Sequence, residues 1–203
     1  MFNSKTICIA GKNIIAIKGL EFCLANHSDK EILFLPNRLD DGEDRWQKSF
    51  KRYGTMNNVR QVSLEDLFPI EDLIFISLEY ADLISTRKFK TDELFNIHFS
   101  LLPKYKGMYT SANPLINGEV QSGVTIHRID DGIDTGDIVD QIAFEVSIED
   151  TARSLYFKYL RHSVYIFIKN ADAIINNRYK TRPQPCVDSS YYAKSSINYN
   201  NLN

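Results

Sequence analysis

Four short apolar runs alternate with helix-patterned stretches through the first half of this 203-residue chain, and that alternation restricts the fold more than any other feature. Residues 6–10 (TICIA), 31–35 (EILFL), 73–78 (LIFISL) and 95–99 (FNIHF) are strand-length and rich in β-branched or aromatic residues. After the first run, 13–25 carries Ile17, Leu20 and Leu24 at i, i+3 and i+7, a helical spacing. Apolar strands joined through helices predict a doubly wound, mostly parallel sheet, an α/β fold with right-handed crossovers.

The remaining elements follow from local pattern. A polar helix is predicted over 44–53 with Trp46 and Phe50 on one face, and a helical turn over 63–68 capped by Ser63. A short helix is predicted over 110–116, closed by Asn117-Gly118. Two further strands are predicted over 124–129 and 138–146. A long amphipathic helix is predicted over 150–176, with Leu155, Tyr159, His162, Ile166 and Ala173 near one stripe. From Thr181 the chain is rich in Pro, Ser, Tyr and Asn. The expected organisation is one domain over 1–180 and an irregular tail over 181–203.

Composition narrows the function classes. Lys+Arg total 24 against Asp+Glu 26, so no basic excess points to nucleic acid. The three cysteines, Cys8, Cys23 and Cys186, are odd in number and widely spaced, which fits neither a disulfide framework nor a CxxC metal site. Cys8 reads as a buried small hydrophobe. No apolar stretch approaches the ~20 residues of a membrane span, and residues 1–11 are too short and mixed for a signal peptide. The expectation is a soluble cytoplasmic protein with no membrane partner.

In sheets of this kind ligands bind beyond the carboxyl ends of the strands. The first strand runs into Gly11-Lys12-Asn13, which lacks both GxGxxG and GxxxxGK[ST]. A glycine there either holds an anion or makes a plain turn. Asn96 and His98 are two apart in one strand and share a face. They read either as a satisfied core pair or as site residues. Pro103 and Gly107 place a constrained loop beside them. Residues 129–137 crowd Asp130, Asp131, Asp134 and Asp137 around two glycines, as a solvated turn would. The EF-hand spacing does not fit, and nothing in the spacing supports a metal held by His98, His127 and Asp134. No metal is expected.

The segments FNIHFSLLPKYKG (95–107), GVTIH (123–127) and DTGD (134–137) resemble the catalytic core of folate-dependent formyltransferases. The resemblance is tightest over 73–146 and implies a formyltransferase catalytic domain over 1–180. It implies 10-formyltetrahydrofolate as co-substrate and a catalytic trio of Asn96, His98 and Asp134. Chemically, Asn96 suits an oxyanion donor, His98 a proton shuttle, and Asp134 a group that orients water or the imidazole. The resemblance also implies a folate pocket from Tyr80, Leu83 and Ile84 with the backbone near Asp130 and Asp131. For Leu83 and Ile84, ordinary core packing is the competing reading.

Four branches of the family compete. The purine-pathway branch carries a Gly/Ser-rich phosphate loop that Gly11-Lys12-Asn13 departs from. The initiator-tRNA and deformylase branches carry additional domains. The run 105–111 (YKGMYTS) resembles the branch acting on nucleotide-linked amino sugars. That branch implies transfer to the amine of dTDP-4-amino-4,6-dideoxyglucose or a 3-amino relative, for surface polysaccharide synthesis. Asn13 and Tyr109 would meet the hexose or its phosphates, Lys12 and Arg161 would offset the diphosphate charge, and Tyr191 and Tyr192 would stack on a base. The alternatives are a phosphoribosylglycinamide formyltransferase and a catalytically silent nucleotide-sugar or folate-binding module. A homodimer through the long helix stays open.

Overall fold

Every residue of the first strand is buried, with strands on both sides of it. The computed structural model describes residues 5–196. In chain order its elements are β1 (Thr6–Gly11), α1 (Asn13–Asn26), β2 (Glu31–Pro36), α2 (Phe50–Met56), β3 (Arg60–Gln61), α3 (Leu64–Leu67) and β4 (Leu73–Leu78). They continue with β5 (Leu94–His98), β6 (Lys106–Gly107), α4 (Asn113–Ile116), β7 (Gln121–Arg128), β8 (Ile138–Glu145), α5 (Ala152–Ile175) and β9 (Tyr191–Tyr192).

Seven strands form one sheet in the order β3-β2-β1-β4-β5-β7-β8. The pairs from β3 to β5 are parallel, and β7 and β8 join antiparallel. This is the mostly parallel α/β sheet expected. Strand alternation sends Ile7, Ile9, Ile74, Ile76, Phe95 and Ile97 into one core layer with residues of α1, α2 and α5. Cys8, Ala10, Leu33, Phe75 and Leu94 enter the opposite layer with Leu67 and Phe89. Burial raises both internal thiols, that of Cys23 to about 12, so they pack as inert apolar groups.

The helix predicted over 44–53 is corrected by the structure: the helix is Phe50–Met56. Asp44 accepts from Ser49 N at 2.8 Å, and Asp40 takes Ser49 Oγ and Lys51 N. These side-chain bonds hold 40–49 as a loop and replace the helical pairing. Phe50 is fully buried and Trp46 is 67% exposed, so the two do not share a face. The helix predicted over 110–116 shortens to Asn113–Ile116, because Tyr109 sits at φ 59 and its carbonyl takes both Ala112 N and Asn113 N. The two-residue β3 carried no sequence signal. The long helix begins at Ala152 with a capping box between Thr151 and Ser154.

After 180 the chain runs back over the domain. Arg182 bridges Ile138, and β9 pairs with β6. Residues 197–203 of the expected tail lie outside the described residues. Among the described residues, no helix is long and apolar enough to cross a membrane.

Candidate active site

β1 lies where the strand order reverses, with β2 and β4 leading off in opposite directions. The crevice beyond the carboxyl ends of β1, β4 and β5 is therefore where this topology accepts a ligand. Asn96 and His98 leave β5 on the face opposite Phe95 and Ile97. The antiparallel register pairs Asn96 with His127, which brings a second imidazole alongside. Asp134, at φ 53, folds over them from the loop between β7 and β8. Its Oδ2 accepts Gly107 N at 2.8 Å and stands 3.5 Å from His98 Nδ1. Its Oδ1 takes Asn96 Nδ2 at 3.4 Å and stands 3.5 Å from His127 Nε2.

Two backbone carbonyls fix the protons. His98 Nε2 is 2.7 Å from Tyr105 O, which only accepts, so that nitrogen carries the hydrogen. In neutral His98 the free base is then Nδ1, the atom facing Asp134. His127 Nδ1 donates to Arg128 O at 2.8 Å, leaving its Nε2 to accept from Asn96 Nδ2 at 3.1 Å. Asn96 thus spends both amide hydrogens in this arrangement, the longer one on Asp134. Burial lowers the His98 pKa below its ordinary value, although Asp134 partly restores it. Burial would raise Asp134, but the two imidazoles, wherever they carry charge, and the Gly107 N–H outweigh it and hold the carboxyl far below its usual range. At neutral pH the pair is a neutral base beside a fixed negative charge.

Of the residues expected to face folate, Tyr80 and Ile84 are half-buried against the second core layer, where Ile129 also packs. Leu83 is 78% exposed, so the core-packing alternative fails for it. Asp130 Oδ1 accepts Gly132 N and Thr135 Oγ1 and shapes its own turn. Asp131 takes Thr86 and Arg87, the latter at 2.9 Å, tying the loop after β4 to the acidic loop. An open groove of about 700 Å³ lies outside that tie, at the amino end of β5 and away from His98.

The residues expected to hold the acceptor do not gather in one place. Asn13, at φ 59, donates to Glu79 Oε2 and to Tyr156 OH. Lys12 Nζ is 4.0 Å from Glu79 Oε1. Tyr109 OH donates to Lys194 O. Arg161 is exposed about two and a half turns down α5 from its rim end. Tyr192 is stacked on Tyr105, with centroids 5.4 Å apart, while Tyr191 stays exposed.

Several site residues went unread in sequence. Glu79 directly follows β4 at the switch point, with φ 62, and accepts twice from Tyr156 OH. Burial pushes its carboxyl up to about 7, against the pull of Lys12, Tyr156 and Asn13. Beside it opens a groove of about 420 Å³ lined by Trp46, Ser111, Ala152, Arg153 and Tyr156. Trp46 leans on Tyr156 and Phe157, and Arg153 lies over Phe157 with no carboxylate partner among the described residues. A polar residue directly after an apolar strand was the legible signal for Glu79. Also among the described residues, no cluster of His, Cys, Asp and Glu has the arrangement to hold a metal.

Residues 72–170 match the family model for formyl transferases. An N-formyltransferase from Helicobacter canadensis, solved with folinic acid and dTDP-3-aminofucose, is 48% identical with a TM-score of 0.93, over 96% of this chain and 72% of that one. WlaRD, a sugar 3-N-formyltransferase solved in the presence of dTDP and 5-N-formyl-tetrahydrofolate, is 50% identical with a TM-score of 0.93, over 97% of this chain and 72% of that one. The bifunctional polymyxin resistance protein ArnA of Wigglesworthia glossinidia brevipalpis is 40% identical over 68% of this chain. The chain spans about a fifth of that curated relative, 21% of its length. The switch-point crevice carries an imidazole, an amide and a carboxylate at its floor, and the chain belongs to the formyltransferase family. Its matches at 48–50% identity are sugar N-formyltransferases, while phosphoribosylglycinamide formyltransferase of Anaplasma phagocytophilum, at 16%, shares the fold alone.

Proposed function

We propose that this chain transfers the formyl group of 10-formyltetrahydrofolate to the 3-amino group of a dTDP-linked amino-dideoxyhexose. The observation that carries the reading is the His98–Asp134 pair with Asn96 and His127 at the sheet's carboxyl end. Of the two amine positions expected from sequence, the ligands and names of the two half-identical relatives favour the 3-amino sugar.

In this reading each group has one task. The neutral acceptor amine attacks the formyl carbon, and the carbonyl oxygen becomes an oxyanion. Asn96 gives up its long 3.4 Å contact to Asp134 and donates that hydrogen to the oxyanion. The attacking nitrogen loses a proton to His98 Nδ1, and Asp134 stabilises the imidazolium so formed. Collapse breaks the bond from the formyl carbon to the folate nitrogen. That nitrogen takes the proton, so the products are a formamide and tetrahydrofolate. A nucleoside diphosphate sugar is a glycosyl donor, so its amine is modified before glycosyl transfer. That order fits a cytoplasmic step supplying surface polysaccharide.

The acceptor's nucleotide belongs in the groove of Trp46, Arg153 and Tyr156, which offers an aromatic surface, a cation with no carboxylate partner among the described residues, and the amino end of α5. This arrangement supports a base and diphosphate on Trp46 and Arg153 in preference to Tyr192 and Arg161. Trp46 is the only tryptophan, so its fluorescence reports occupancy directly. Titration with dTDP is expected to give a saturable change. Arg153→Gln is expected to weaken dTDP about tenfold, the equivalent of ~1.4 kcal/mol, with tetrahydrofolate binding unchanged. A Trp46 signal indifferent to saturating dTDP contradicts this placement.

A further inference from the structure

We propose that Gln184 is a positioning residue for formyl transfer, setting Asp134 and, through it, the His98 imidazole. The proposal rests on the transfer reading above. Gln184 lies 50 residues beyond the acidic loop, and its Nε2 donates to Asp134 O and to Gly136 O, both at 2.8 Å. Only an amide NH2 can serve two carbonyls at once, so the orientation of this side chain is fixed. Its Oε1 then faces inward as a buried acceptor with no partner among the described residues.

That orphan matters for the assignment. A buried acceptor without a partner is destabilising. It offsets much of what the two donated bonds contribute, so Gln184 adds little net stability. What the two bonds do accomplish is geometric. They grip the backbone on both sides of Thr135, next to Asp134 in its left-handed conformation at φ 53. A non-glycine residue holds that conformation only when its surroundings impose it.

The segment carrying Gln184 is itself anchored along both active-site loops. Arg182 exchanges backbone bonds with Ile138 at 2.8 and 2.9 Å. Further along, Ser190 Oγ accepts Tyr105 N at 2.8 Å, and Ser190 O accepts Lys106 N at 2.9 Å. Tyr105 O is the acceptor for His98 Nε2. One strap therefore holds the two groups that flank His98: Asp134 toward Nδ1 and the Tyr105 carbonyl on Nε2. Without Gln184 the Asp134 backbone relaxes and its carboxylate drifts from Nδ1. A misplacement of about 1 Å can cost on the order of a hundredfold in rate.

The test compares wild type with Gln184→Met, which keeps the length and loses both donors, and Gln184→Glu, whose carboxylate turns acceptors toward both carbonyls. Steady-state kinetics, thermal unfolding and an NMR pH titration of the His98 ring are measured on each. Among the described residues the titratable groups facing His98 are Asp134 and His127, and both are intact in all three proteins. For Gln184→Met the expected result is kcat lower by about tenfold or more. KM should stay within about twofold and Tm within about 2 °C. The His98 midpoint should move down, because a slackened Asp134 supports the imidazolium less. Gln184→Glu should be slower still at neutral pH. An unchanged kcat with an unmoved His98 midpoint overturns the proposal, as does a loss of activity that only follows a loss of Tm. The titration needs no turnover. A moved midpoint in a protein whose wild type transfers nothing therefore upholds the positioning and rejects the transfer reading.

Discussion

His98→Gln is expected to lower kcat by roughly a thousandfold while tetrahydrofolate binding persists. The substitution is chosen because a glutamine amide reaches as far as Nε2 and keeps an N–H directed at Tyr105 O, 2.7 Å from the native nitrogen. The loop over 103–107 then stays in place. What disappears is the base at Nδ1, and general base catalysis is worth about 10²–10⁴-fold. The oxyanion donor Asn96 and the substrate contacts remain, so a residual rate is expected. The pH profile gives a second signature. Burial lowers the His98 pKa from its ordinary value, so the wild-type acid limb, where Nδ1 becomes protonated and the rate falls, lies at lower pH than for an ordinary histidine. That acid limb should vanish in His98→Gln. A variant within tenfold of wild type, or one retaining the limb, places the base elsewhere.

Gly11→Ala is expected to be the most destabilising single-methyl change in the sheet. Gly11 sits at φ 153 at the end of β1, and a Cβ there would stand 1.9 Å from Leu78 O and 2.7 Å from Leu78 C. The obstacle is backbone of the neighbouring strand, so no side chain can turn aside. Lys12 N bonds to that same Leu78 carbonyl and Asn37 N to Gly11 O, so the three strand ends at the switch point are knit together there. Backbone strain of about 1–3 kcal/mol and a steric displacement of similar size together approach the lower range of total domain stability. The midpoint of denaturant unfolding should fall steeply, with Tm down by about 10 °C or more. A near-native midpoint contradicts the close approach of β1 and β4. The glycine's role here is steric, which favours the plain turn over an anion cradle.

The parts of the fold legible in sequence are those with local periodicity. The apolar runs of β1, β2, β4 and β5 and the long stripe of α5 declared themselves. The loop over 40–49 did not, because its conformation comes from Asp40 and Asp44 bonding Ser49 and Lys51, which outcompetes helix pairing. Within the site, Asn96 and His98 stood out as a polar pair on an apolar strand. His127 reached its role through antiparallel register with Asn96, which no local pattern discloses. Glu79 and Tyr156 meet across 77 residues, and Gln184 and Asp134 across 50. Such contacts depend on tertiary folding, and the residues involved look like ordinary surface polars until the chain is closed.

The most direct measurement incubates the protein with 10-formyltetrahydrofolate and dTDP-linked 3-amino- and 4-amino-dideoxyhexoses and follows the mass of each sugar. The expected result is one added formyl group on a 3-amino sugar, with stoichiometric release of tetrahydrofolate and near-complete loss in His98→Gln. Glycinamide ribonucleotide formylated in place of every sugar, or folate and dTDP bound with no transfer to any amine, would contradict it.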